Sequence, residues 1–183
     1  RPHRPLKPFT FQRDTAFQLA LRLTMRRIAT TLAVVVALLF SAESAWADYD
    51  DAVAAYERGD YATAFQEFLP YAEQGNAKAQ YNVGLMYDKG WGVPENDAEA
   101  AKWYRQAAEQ GEADAQSNLG RMYARGDGVS QDRVTAYMWC SLAEAQGHKK
   151  AARDLNFARR TMTPAQIAKA QALATEWREK HNN

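Results

Sequence analysis

Three glycines, Gly75, Gly111 and Gly147, lie 36 residues apart, and the segments between them are alike. Residues 75–110 and 111–146 are identical at 15 of 36 positions, whereas average composition gives roughly two. A repeat of this length is typical of a solenoid, in which each unit buries its apolar face only by stacking against the next unit. Because solenoids usually work by presenting a surface, the repeat favours a binding protein over an enzyme.

Apolar spacing predicts two helices in each repeat. In the first repeat Ala79, Val83 and Met86 recur at helical spacing, and the pattern stops at Gly90. Pro70 is expected to kink an earlier helix or to shift its start. The predicted helices cover 49–58, 61–74, 76–89, 97–110, 112–125, 132–146, 148–160 and 163–183. No segment alternates with period two, so the sequence predicts an all-α, right-handed α-solenoid of antiparallel helix pairs.

The residues that repeat also carry a family resemblance. They are Ala79, Val83, Gly84, Tyr87, Gly90, Gly92 and Val93, followed by Ala100, Trp103, Tyr104, Ala107, Ala108 and Gly111. The pattern returns over 115–147. It resembles the Sel1-like repeat (SLR) family, a branch of the tetratricopeptide-like (TPR-like) superfamily. The resemblance implies an adaptor or binding scaffold in which the first helix of each pair lines a concave groove.

Residues 25–47 have the segment order of a secretory signal peptide. Met25 opens a short basic stretch, 28–40 is an uncharged run of 13 residues, and small residues precede Asp48. The run is shorter than the roughly 20 residues that span a bilayer, although a retained anchor or a buried core helix are alternatives. We expect an exported protein, periplasmic or secreted, with no stable membrane insertion after cleavage. Residues 1–24 are expected to be an upstream extension from a misplaced start, or a disordered tail.

Removing the predicted leader reverses the sign of the net charge. The chain is +1 overall, but residues 48–183 carry 16 basic and 20 acidic side chains, a net charge of −4. Within them, residues 48–114 are −9 and residues 115–183 are +5. No nucleic-acid partner is expected. The polarity is typical either of an oriented interaction surface or of ordinary solvated helix faces. The predicted domains are the repeats over 48–162 and a capping helix over 163–183.

The sequence contains little that suggests catalysis. After the leader it has two histidines, His148 and His181, and neither belongs to a recognisable nucleophile or metal motif. Cys140 is the only cysteine and is expected to be a small buried apolar residue. We therefore predict no enzyme, no cofactor and no metal site.

The candidate binding residues are on the predicted first helices. Asn82 and Asn118 occupy equivalent positions, and Asp154 follows them in the third copy. An amide there can bind an extended peptide backbone, or it can bond between adjacent helices. Arg121 and Arg153 are expected on the same side, where they can pair with carboxylates of a partner. Four more residues are expected near this groove: Tyr81, Arg125, Phe157 and Arg160.

These features together predict an exported helical-repeat scaffold that binds a protein or peptide partner of unknown identity. The alternatives are an envelope regulator of a membrane receptor and a cell-envelope hydrolase or enzyme accessory. Turnover that depends on one polar residue would favour the hydrolase, whereas a stoichiometric complex would favour the scaffold.

Overall fold

Residues 49–181 are described by the computed structural model, and they fold into helices joined by short turns. The helices are α1 (49–57), α2 (Tyr61–Glu73), α3 (Ala77–Lys89), α4 (Asp97–Glu109), α5 (Ala113–Arg125), α6 (Arg133–Ala145), α7 (Lys149–Thr161) and α8 (Pro164–His181). This range contains eight helices and no strand, and none of its helices is long and apolar enough to cross a membrane. The predicted leader and the extension before it lie outside the described residues.

The prediction of an all-α solenoid is confirmed. Helices α3 and α4 form one pair and α5 and α6 the next, and α4 packs against α5 to join the two pairs. Most of these helices begin after a side chain that accepts from their first turn. Asn96, for example, accepts from the backbone N–H groups of Ala98 and Glu99, both at 3.1 Å. Such caps satisfy donors that have no partner within the helix.

Pro70 does not shift the start of α2. The helix begins at Tyr61 after the N-cap Asp60 and continues through Pro70 to Glu73. Pro70 lies in the last turn and is exposed. Only one helical hydrogen bond is lost there, and water can replace it on the exposed side. Of the two expected effects of Pro70, the shifted start is therefore wrong, and the kink stays a prediction.

Two loop glycines hold neighbouring pairs together. Gly92 and Gly128 have φ values of +73° and +62°, a region that favours glycine. A Cβ on Gly92 would also overlap the backbone of Tyr61, and a Cβ on Gly128 would overlap the backbone of Asp97. The loop after each first helix thus contacts the beginning of the second helix in the preceding pair. Each position needs glycine for two separate reasons.

A buried glutamine connects each repeat to the one before it. The Gln80 side chain donates to the Ala72 carbonyl at 3.0 Å and accepts from Gln110 Nε2 at 2.7 Å. The equivalent Gln116 side chain donates to the Ala108 carbonyl at 3.1 Å. It accepts from Gln146 Nε2 at 2.9 Å. Each glutamine thereby provides a donor to the carboxyl end of the preceding second helix.

Close packing positions the first helices against the second helices. Gly84 lies against Tyr104, whose ring would be 2.9 Å from an added Cβ, and Gly120 lies against the Cys140 thiol. Trp103 and Trp139 are buried between helices, with 8% and 6% of their surfaces exposed. A side chain larger than glycine at position 84 or 120 would force the paired helices apart.

Helix α8 closes the carboxyl end by packing chiefly on α6. Trp177 of α8 meets Trp139 of α6 edge to face, with ring centroids 6.1 Å apart. Ala170 and Ala174 are buried in the same contact. Helices α7 and α8 also share buried residues, among them Leu155 and Ala170. The side of α7 that faces α5 carries the candidate site.

Candidate functional site

A cavity of about 590 Å³ lies on the side of the first helices, in the carboxyl-terminal half of the described residues. Helices α5 and α7 form its walls, the first half of α6 forms its floor, and the end of α3 closes one side. We call this space the basic cavity, because five cationic side chains line it: Lys89, Arg121, Arg125, Arg133 and Lys150.

Arg121 is the most constrained of these cations. Its guanidinium donates to Asp88 Oδ2 at 3.1 Å and so joins α5 to α3. The side chains are 17% and 12% exposed. Tyr104 donates to the same oxygen at 3.4 Å. Burial, and then the Asp88 carboxylate, raise the pKa of Tyr104 well above its usual range, so this hydroxyl keeps its proton. Arg121 therefore has a structural role in addition to any contact with a ligand.

Three other cations, Arg125, Arg133 and Lys150, are exposed. Within the described residues they form no ion pair. Burial, and then the neighbouring Arg121 guanidinium, lower the pKa of Lys150. The positive charge in this cavity is thus only partly neutralised by the protein.

Three carboxylates, Asp88, Asp127 and Asp154, also line the basic cavity. Asp88 is paired with Arg121 and Lys89. Asp154 Oδ2 is buried and accepts no hydrogen bond from the described residues. A buried acceptor without a donor costs about 1–3 kcal/mol, so a donor from a ligand or from water would stabilise this wall.

Apolar side chains form the lower part of the cavity and part of its rim. Leu155 and Met162 are buried beside Ala136. Phe157 lies at the cavity with 71% of its surface exposed, and it is the one large hydrophobic side chain among the described residues that is exposed. A single exposed hydrophobic side chain is common on protein surfaces, so the interest of Phe157 lies in its place at a cavity lined by unpaired cations.

Cys140 lies in the floor and is buried, as the sequence predicts. Burial, and then the Asp154 carboxylate, raise the pKa of its thiol to about 12. The thiolate is the nucleophilic form of cysteine, so Cys140 is protonated and unreactive at neutral pH. Its role here is to fill the space beside Gly120.

Two tandem segments of the chain, residues 77–112 and 113–148, match the family model of the Sel1 repeat. These segments contain helices α3 to α6, with the glycines and tryptophans that carry the repeat. The resemblance to the Sel1-like repeat family is thereby confirmed for these two repeats. Proteins with Sel1 repeats typically act as scaffolds for protein–protein interaction.

Solved structures share the SLR fold with this Sel1-like repeat chain. One is a protective antigen of uropathogenic Escherichia coli, 30% identical with a TM-score of 0.70. The alignment covers 75% of this chain and 30% of the antigen. Another is a Sel1 repeat protein from Oxalobacter formigenes, 32% identical with a TM-score of 0.58, over 69% of this chain and 54% of that protein.

Among curated proteins, the DAP3-binding cell death enhancer 1 of Rattus norvegicus and that of Mus musculus are each 48% identical over 42 residues. The match covers 23% of this Sel1-like repeat chain and 8% of each relative. The chain thus spans less than two thirds of every relative named here. These likenesses show the repeat and its fold.

The structure brings some of the predicted binding residues together. Arg121 and Asp154 both line the basic cavity, and so do Arg125 and Phe157. Arg153 is exposed next to Asp154 in α7 but is not among the lining residues. Arg121, Arg125 and Asp154 thus share one cavity while Arg153 lies outside its lining, and binding at these residues stays a prediction.

The two predicted asparagines lie elsewhere, in contacts between helices. Asn82 of α3 lies beside Tyr49 of α1, and Asn118 of α5 lies beside Tyr104 of α4. Both asparagines are half-buried. These contacts favour the interhelical role for the amides, and binding by them stays a prediction.

Three cations of the cavity were missed by the sequence analysis: Lys89, Arg133 and Lys150. A signal for Lys89 does exist, because it and Arg125 are repeat equivalents that each end a first helix before a glycine. Lys150 gives no such signal, because its position depends on how α7 packs beside α5.

Neither histidine has the surroundings of a catalytic base. His148 Nδ1 accepts from the Ala151 N–H at 3.1 Å and caps α7, while Nε2 bonds Asp114 Oδ1 at 3.0 Å. Both ring nitrogens are therefore engaged, Nδ1 in capping α7 and Nε2 in holding α7 to α5. Within residues 49–181, no three His, Cys, Asp or Glu side chains are grouped in a way that could hold a metal ion.

Proposed function

We propose that this protein is an exported scaffold that binds a protein or peptide partner through the face of its first helices. The observation that carries the proposal is the basic cavity, where exposed Phe157 lies beside cations without an ion pair. Desolvated aromatic side chains commonly dominate binding energy at interfaces. Export is supported by the segment order of residues 25–47.

The test compares capture of a partner by the full chain and by two matched double variants. Arg125→Ala with Lys150→Ala removes two exposed cations from the basic cavity. Lys102→Ala with Lys180→Ala removes two exposed cations from α4 and α8. We expect the first variant to lose the partner that the wild type retains and the second to keep it. Because all four side chains are exposed, melting temperatures should stay close to that of the wild type.

Arg121 is unsuited to this comparison. Replacing it would leave Asp88 with less compensation in a largely buried position, and removing one partner of such a pair is destabilising. A loss of binding by Arg121→Ala would therefore not separate recognition from folding.

Cross-linking locates the contact independently. A photoreactive amino acid in place of Phe157 should cross-link the captured partner, and the same amino acid in place of Lys102 should not. If the partner cross-links at position 102 and survives loss of the cavity cations, the second helices form the binding face and the proposal is wrong.

A further inference from the structure

The basic cavity combines two kinds of surface within one small space. Five cations face three carboxylates, and only Arg121 and Lys89 have a carboxylate within ion-pair distance. Apolar side chains lie directly below, and Phe157 stands exposed at the cavity. A complementary ligand would carry a negative group and an apolar group close together.

The size of the cavity limits what can enter it. Its volume of about 590 Å³ lies within the range of roughly 300–1,000 Å³ for small-ligand pockets. A folded domain cannot enter such a space, but a few side chains of an extended segment can.

We propose that the basic cavity binds an extended peptide segment in which a carboxylate side chain neighbours a bulky apolar side chain. The proposal rests on the proposed function and names the chemistry of its partner. The carboxylate pairs with Arg125 and Lys150, and the apolar side chain packs against Phe157 and Leu155. Paired charges exchange water for one another, so the cations contribute chiefly to association rate and selectivity, and the apolar contact contributes affinity.

The carboxylates that line the cavity favour a peptide over a compact anion as the ligand. Asp127 and Asp154 would repel a phosphate or sulfate group held at the centre of the cavity. A peptide backbone instead carries N–H donors, and Asp154 Oδ2 is an acceptor that lacks a donor. A chain with alternating donors and acceptors therefore suits this wall better than a multiply charged anion does.

Direct binding of defined peptides to the full chain tests this chemistry. Three short fluorescein-labelled peptides of equal length alternate leucine with aspartate, with asparagine or with lysine, and binding is measured by fluorescence anisotropy. We expect the aspartate peptide to bind at least about tenfold more tightly than the asparagine peptide. Raising ionic strength from about 0.01 M to about 1 M shortens the Debye length from about 30 Å to about 3 Å and should weaken binding.

Charge reversal and removal of the aromatic ring test the two halves of the site separately. Arg125→Glu with Lys150→Glu should invert the preference, so that the lysine peptide binds more tightly than the aspartate peptide. Phe157→Ser should weaken the aspartate peptide about tenfold without lowering the melting temperature, because this ring is largely exposed. Lys102→Glu with Lys180→Glu is the matched control and should leave the preference unchanged.

Two results would overturn the proposal. The first is equal affinity for the aspartate and asparagine peptides. The second is self-association of the full chain that is abolished by Arg125→Glu with Lys150→Glu, because a second copy would then occupy the cavity. Continued cross-linking of a captured partner at position 157, together with equal peptide affinities, would preserve the proposed function and reject only this ligand chemistry.

Discussion

At the scale of single residues, glycines of the same backbone type have different roles. Gly111 and Gly128 both have positive φ, +92° and +62°. No atom lies within 4 Å of a Cβ added to Gly111, whereas a Cβ on Gly128 would overlap the Asp97 backbone. The first position needs only conformational freedom, and the second also needs the absence of a side chain.

This difference predicts unequal costs for one chemical change. Gly111→Ala should lower the free energy of unfolding by about 1–2 kcal/mol, from left-handed backbone strain alone. Gly128→Ala should cost about 2–5 kcal/mol, because the loop must also move away from α4. Urea unfolding of both variants measures the difference. Equal costs would mean that the contact between this loop and α4 is not maintained in solution.

At the scale of elements, the helices are connected by polar contacts as well as by packing. The buried Gln116 links three helices, since it donates to a carbonyl at the end of α4 and accepts from Gln146 after α6. Leucine has a similar volume but offers neither a donor nor an acceptor. The equivalent Gln80 makes the same two kinds of contact one repeat earlier.

Gln116→Leu should therefore lower the free energy of unfolding by about 1–2 kcal/mol, through the loss of two buried hydrogen bonds. Gln66→Leu on exposed α2 surface is the matched control and should change stability by no more than about 0.5 kcal/mol. Chemical denaturation followed by tryptophan fluorescence measures both values. A Gln116 variant as stable as the control would show that packing alone sets the order of the pairs.

At the scale of the whole molecule, the structure shows where part of the positive charge of residues 115–183 lies. Residues 115–183 carry a net +5, and four of the five cations of the basic cavity belong to this part of the chain. Asp127 and Asp154 offset two of these four cations, so the cavity accounts for two of the five net positive charges. A charged opening of this kind raises the rate at which oppositely charged partners arrive.

Export is a prediction for the whole molecule that the helical region does not address. The small residues Ala45-Trp46-Ala47 suit cleavage by signal peptidase, so the exported protein should begin at Asp48. Intact-mass measurement of the protein from the periplasmic or secreted fraction checks this expectation. A cytoplasmic product that retains Met25 would contradict it.

The sequence by itself determined the helices and the order of the repeats. Apolar spacing, caps and glycines act within a few residues, so the bounds of α2 to α7 could be predicted to within one residue. The close contacts between paired helices at Gly84 and Trp103 were also predictable, because each of these residues recurs 36 positions later.

Only the tertiary structure decided which side chains share the candidate site. Lys150 and Arg125 line one cavity because α7 packs beside α5. Asn82 and Asn118 were assigned to the groove from their repeat position, yet their neighbours on other helices place them in interhelical contacts. Local patterns specify a helix and its faces, whereas the distance between two faces depends on contacts far apart in the chain.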